Sequence, residues 1–248
     1  MYKADRILMF KKKTITFFPT NKNAEVSIDP PSPAKDHLTE EYKRLPFKVN
    51  KTFLSLHPNL KGSNLTAKGC IPVLDAFTAG YMVTLPCDIT VTTSPEYNHR
   101  LFWEVDWEAI GTHSNLQMGD MGVPYGFEID PYKFETKWVI KTPPGYSVLI
   151  THPLNRFDLP FITLSGIVDS DSYNILPVNL PFFLKDGYNG VIKKGTPIAQ
   201  IIPFKREDWD SKIEVYKESN DGKFQINVLK SVSERSYKNR FWKKKKYE

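Results

Sequence analysis

The chain has 248 residues, with 34 Lys and Arg against 28 Asp and Glu, and 13% of its residues are aromatic. That length suits one all-β domain with long arms and is enough to bury a sizeable core. Two cysteines without metal-ligand spacing argue against a disulfide or zinc framework, and no apolar run nears the roughly 18 residues of a membrane span.

The formal charge of +6 is unevenly spread. Lys11-Lys12-Lys13 and Lys243 to Lys246 hold seven of the 34 basic residues, and the remaining 27 face 28 acidic ones. The body is therefore nearly neutral, which does not imply nucleic-acid binding over the whole surface. The lysine-rich ends suit either plain solvation or salt-sensitive contact with phosphates and anionic surfaces. Cys70 and Cys87 read as buried small hydrophobes in a reducing compartment. Met1 to Arg6 is followed by no long apolar run, so the expected protein is soluble and cytoplasmic, with no membrane partner.

With 19 Pro against 13 Gly, the composition favours short strands joined by rigid turns. Residues 7–18 read as a strand pair or extended arm, and Pro19 to Pro33 as an irregular connection. Asp36 to Arg44 predicts a short surface helix capped by Asp36 or Thr39. From Gly69 to Thr93 the strands of a core begin, with Ile71-Pro72-Val73-Leu74, Tyr81 to Leu85 and Ile89 to Thr92. Arg100 to Val105 alternates as a further strand. Gly111 to Tyr132 reads as a loop region that is packed, because of its apolar content.

Lys137 to Phe204 predicts a meander with segments at 138–140, 146–151, 161–164, 175–178, 182–184, 190–192 and 198–202, punctuated by glycine bends near 145, 166 and 195. Ile213 to Tyr216 and Phe224 to Leu229 form a hairpin around Asn220-Asp221-Gly222. Ser231 to Lys246 reads as a basic helix. The expected division is an N-terminal arm and irregular segment (1–68), a β-rich core (69–229) and a basic C-terminal tail (230–248).

Three stretches in the meander carry chemistry: Thr142-Pro143-Pro144-Gly145-Tyr146, Gly166-Ile167-Val168-Asp169-Ser170-Asp171 and Gly195-Thr196-Pro197-Ile198-Ala199-Gln200. Together they resemble the core of the trimeric deoxyuridine triphosphatases (dUTPases), over about residues 138–206. The resemblance implies an all-β, dUTPase-like β-clip, a distorted barrel or sandwich with terminal extensions, and assembly as a homotrimer. It assigns Asp169 to orienting the attacking water, Tyr173 to the base, Gln200 and the shifted Arg156 to phosphate, and Asp171 to holding Mg²⁺.

The pattern also departs from the family. Ser172 displaces Tyr173 by one position, which turns it to the opposite face if the segment is extended. Ala79-Gly80-Tyr81 resembles the first motif, yet Met82 stands where a metal-associated Asp is expected, and a thioether does not replace a carboxylate for Mg²⁺. His152-Pro153-Leu154-Asn155-Arg156-Phe157 occupies the place of an Arg-Ser-Gly stretch. The end of the chain has no glycine-rich arm.

Other chemistries leave weaker traces. No P-loop, dinucleotide fingerprint or His-Glu-x-x-His is present. Glu104, Asp106 and Glu108 alternate around Trp103 and Trp107, as a solvated strand face or a cation site. Trp209 and Trp242, each flanked by charges, read as clamps on the C-terminal segment or partner contacts.

The expected function is a dUTPase-like binding or assembly protein with little or no catalysis, able to take a nucleotide or to recruit a protein through its extensions. The chain also looks like proteins of tailed bacteriophages, as a virion component or an accessory factor in the host. The alternative is a Mg²⁺-dependent deoxynucleotide pyrophosphohydrolase in which Asp169 activates water.

Overall fold

The computed structural model describes residues 13–20, 22–49, 65–94, 97–213 and 237–248. The expected hairpin around Asn220-Asp221-Gly222 lies outside them. Strands dominate, and every strand pairing among the described residues is antiparallel.

The largest sheet joins β2 (Ser32–Pro33), β3 (Tyr81–Thr84), β14 (Pro197–Lys205), β9 (Tyr146–Thr151) and β11 (Gly166–Val168), in that order across the sheet. A second sheet sets β10 (Phe161–Thr163) beside β12 (Leu180–Leu184), β7 (Tyr132–Phe134) and β6 (Ile110–Thr112). β13 (Gly190–Ile192), β4 (Ile89–Ser94) and β5 (Tyr97–Trp103) form a third. β1 (Thr16–Pro19) pairs with β8 (Trp138–Lys141), so the N-terminal segment is tied to the body.

Alternation explains the core. In β9, Val148 and Ile150 turn inward, and in β14 Ile201 joins them. They share one buried cluster with Phe134, Phe161, Phe182 and Leu184 of the second sheet. Phe134 and Phe182 stack at 3.8 Å between ring centroids, and Phe161 meets Phe134 edge-on at 5.2 Å. Each such side chain contributes roughly 1.5–3 kcal/mol by leaving water.

Several expectations are corrected. Ile71 to Leu74 is helical, within α3 (Ile71–Thr78), which follows α1 (Lys22–Ser27) and α2 (Glu40–Arg44). A four-residue apolar run fits a strand or a helix alike. Here Pro72 sits in the first turn, where its missing N–H costs nothing, and the Val73 and Leu74 amides donate to the Cys70 carbonyl. Thr39, not Asp36, caps α2 by accepting from the Tyr42 amide at 3.1 Å. Residues 175–178 form no strand: Ile175 and Leu176 are exposed, and the Val178 carbonyl accepts from the Thr136 hydroxyl. Gly166 opens β11 instead of bending the chain.

The region expected as a packed loop exposes Leu116 and Met121 on two short 3-10 turns and Tyr125 on the turn after them. Cys70 is exposed, whereas Cys87 is buried. In the described part of the C-terminal segment only Tyr237–Phe241 is helical, as a single π-turn.

Gly80 is fixed by sterics. It turns the chain from α3 into β3 at φ +68°, and a Cβ there would lie 1.9 Å from the Ile201 carbonyl oxygen of β14.

Candidate functional site

β9 and β14 run side by side, with Lys205 opposite Tyr146 and Gln200 opposite Thr151. The residues expected to do chemistry gather at the two ends of this pair. Gln200 and Arg206 are six residues apart, about 20 Å along an extended strand.

At the first end, β11 pairs with β9 up to Val168 and Val148, which delivers Asp169 next to Ser147. The Ser147 hydroxyl donates to Asp169 Oδ1 at 2.6 Å. The chain then turns back: the amides of Ser172 and Tyr173 both donate to the Asp169 carbonyl, at 2.9 and 2.8 Å. The stretch is therefore a turn, and the facing argument for an extended segment does not apply to Tyr173, whose side chain is half-exposed.

That turn drives Asp171 inward, where its side chain keeps 9% of its surface. Arg206, just beyond β14, grips it with both terminal nitrogens at 2.9 and 2.5 Å, and the Gly145 amide adds a bond at 2.8 Å. Gly145 is at φ +82°, the conformation that presents this N–H in the tight turn from β8 to β9. Arg206 also donates to the Ser147 hydroxyl and to Asp169. The Arg206 bonds and the Gly145 amide hold the Asp171 carboxyl far below the usual carboxylate range, and Asp171 in turn raises Arg206.

Asp169 is the open member of the cluster. Its side chain keeps 64% of its surface, and no bond from the described residues reaches Oδ2.

At the second end Gln200 is completely buried. Its Oε1 accepts from the Leu154 amide at 2.9 Å, and Nε2 donates to the carbonyls of Ala76 and Ala79 at 2.9 and 2.6 Å. The final carbonyls of a helix lack partners within it. Gln200 supplies them for α3 and ties the loop after β9 to that helix. Both amide protons are thereby committed to backbone, away from any phosphate.

Arg156 lies in the same loop, which Asn155 turns at φ +61°. Its guanidinium makes a bidentate pair with Asp158 at 2.8 and 2.7 Å, lowering the Asp158 pKa. His152 Nε2 donates to the Arg156 carbonyl and Nδ1 accepts from the Thr163 amide. Burial pushes its pKa down, as it does for nearby His37.

The donors do not fit Mg²⁺. Both Asp171 oxygens are saturated by Arg206 and Gly145, and Met82 is buried in β3. No group of three His, Cys, Asp or Glu among the described residues is arranged to hold a metal ion. Glu104, Asp106 and Glu108 are all exposed on a bend, while Trp103, Val105 and Trp107 pack inward.

The structure thus brings Asp169 and Asp171 together and keeps Gln200 and Arg156 apart from them within one chain. The residue that organises the cluster, Arg206, escapes a reading of the sequence. Its only trace is a basic residue just past the last core strand, and strand register decides that it meets two carboxylates.

No family model matches the chain, and no curated protein matches it. Among solved structures, the chain is similar to a dUTPase variant of Staphylococcus bacteriophage 80alpha with dUpNHpp. The identity is 13%, over 84% of this chain and 93% of that chain, with a TM-score of 0.34. No helix among the described residues is long and apolar enough to cross a membrane.

Proposed function

We propose that this chain is a binding and assembly protein on a dUTPase-like β scaffold, without efficient nucleotide hydrolysis. One observation carries the reading: the side chains that hydrolysis would need are spent as fasteners. Asp171 closes a turn with Arg206 and Gly145, Gln200 caps α3, and Arg156 is locked to Asp158. Freeing Gln200 or Asp171 for a ligand would leave buried or half-buried backbone groups unpaired, at about 1–3 kcal/mol each.

Assembly is supported by β11, which among the described residues pairs on one side only, with β9, and exposes Ile167. Ile175 and Leu176 are exposed soon after it in the chain. A homo-oligomer, with the trimer as the reading drawn from the sequence resemblance, would cover such an edge. A role as a bacteriophage virion or accessory component is a separate part of this reading, supported by the small size, the lysine-rich ends and the degenerate nucleotide motifs of the sequence.

The competing reading, a pyrophosphohydrolase, is favoured by the exposed Asp169 carboxylate. Incubation of the folded protein with each common deoxynucleoside triphosphate and Mg²⁺ separates the two. No pyrophosphate above the blank is expected. Turnover that Asp169→Ala abolishes would make the protein an enzyme.

A further inference from the structure

The C-terminal segment folds back on the body and is latched there. Trp242 Nε1 donates to both oxygens of Asp75 on α3, at 3.1 and 3.0 Å, and Lys245 Nζ reaches the same carboxylate at 2.5 Å. Further along, Tyr247 meets Tyr81 of β3 edge to face at 6.1 Å, and the Tyr81 hydroxyl donates to the Glu248 carbonyl at 3.3 Å. Burial raises the Tyr247 pKa, in keeping with a packed ring.

This tail separates two clefts and helps line both, through Lys246, Tyr247 and Glu248. The larger, about 450 Å³, is closed on its other sides by Lys13, Tyr81 and Tyr146. Lys13 holds its ammonium 5.7 Å from the centre of the Tyr146 ring. No acidic side chain among the described residues pairs with Lys13 or Lys246, in contrast to Lys245 on Asp75. The cleft therefore offers three tyrosine rings and two lysines beside Glu248, whose main-chain oxygen is met by the Tyr81 hydroxyl, and its volume suits a small organic ligand.

We infer that this cleft is a binding site for a small aromatic anion, a flat ring bearing a phosphate or carboxylate, with the Asp75-latched tail as one wall. The ring packs among Tyr81, Tyr146 and Tyr247, and Lys13 and Lys246 take the anionic group. Asp75 touches no ligand: it is a positioning residue that keeps Lys246 and Tyr247 in place. The site is separate from the carboxylate cluster, because Tyr146 and Ser147 leave opposite faces of β9. It deepens the binding reading above and rests on it. Pyrophosphate release depends on Asp169, so the two ideas can fail separately.

Titration calorimetry of the full chain with 1-naphthyl phosphate tests the proposal, with 1-naphthoate, 2-naphthol and inorganic phosphate as comparisons. Saturable binding of one 1-naphthyl phosphate per chain is expected, weakening with added salt, and about tenfold weaker for naphthol or phosphate alone. Naphthoate binding as tightly supports a site for either anion, and weaker naphthoate binding supports a phosphate site. The double variant Lys13→Met, Lys246→Met should lose about tenfold or more in affinity with its melting temperature unchanged. Asp75→Asn should lose affinity by releasing the tail, and a Trp242 fluorescence change should report that release. Absence of saturable binding up to millimolar ligand, or full affinity in the double lysine variant, overturns the proposal.

Discussion

Gln200 shows how one residue type serves two readings. A glutamine after a glycine turn and an alternating strand resembles a phosphate ligand, and the same amide is suited to capping a helix from outside. Its complete burial and three backbone partners decide for the cap. Gln200→Ala should destabilise the protein by about 3 kcal/mol or more in urea unfolding, since three polar groups lose their partner at roughly 1–3 kcal/mol each. Gln200→Glu keeps the acceptor for Leu154 but buries a carboxylate against the Ala76 and Ala79 carbonyls, so at pH 7 it should destabilise at least as much, and less in acid, where the protonated carboxyl regains one donor. A glutamine waiting only for a ligand would leave stability unchanged in both variants.

Asp171 gives a pH signature. Its folded-state pKa lies far below the unfolded value of about 3.9, so its stabilising contribution is complete above that value. The contribution is lost as pH falls below about 4 towards the folded pKa. Asp171→Asn should therefore melt earlier than the parent at pH 7, and the gap between the two melting temperatures should narrow steadily as pH falls from about 4 to 2. Parallel melting curves across that range would remove the Arg206–Asp171 pair from the stabilising contacts.

β9 and β14 were legible as elements from short apolar runs that follow glycine bends, although both are buried at consecutive positions and not in alternation. The helix over Ile71–Thr78 was not. Its apolar run is too short to show a period, and its end is held by a residue more than a hundred positions away. Asp169 and Asp171 were visible as a pair, but their separation from Gln200 follows only from the register of β9 on β14. The edge strand β11 yields an element-level prediction. Ile167→Lys places a charge on a strand that is exposed and at the sheet edge among the described residues, so it should leave the monomer fold intact while shifting the mass in light scattering towards one chain. An unchanged assembly would show that β11 lies outside the interface.

For the whole molecule, charge placement was legible early and its consequence was not. The basic ends read either as solvated tails or as salt-sensitive contacts for anions, and in the fold Lys13 and Lys246 line one cleft while Lys245 is paired to the body. Tertiary contacts from Asp75 and Tyr81, each far away in sequence, decide where those charges go. The division of labour between the thiols then has a practical consequence. Cys70 is open to reagents while Cys87 is shielded, and Cys70 begins the helix that carries Asp75, about 7.5 Å further along the axis. A maleimide dye would therefore mark a single spot beside the docked indole of Trp242. The native chain contains its own spectroscopic ruler for whether the strap is fastened, with no cysteine to be engineered.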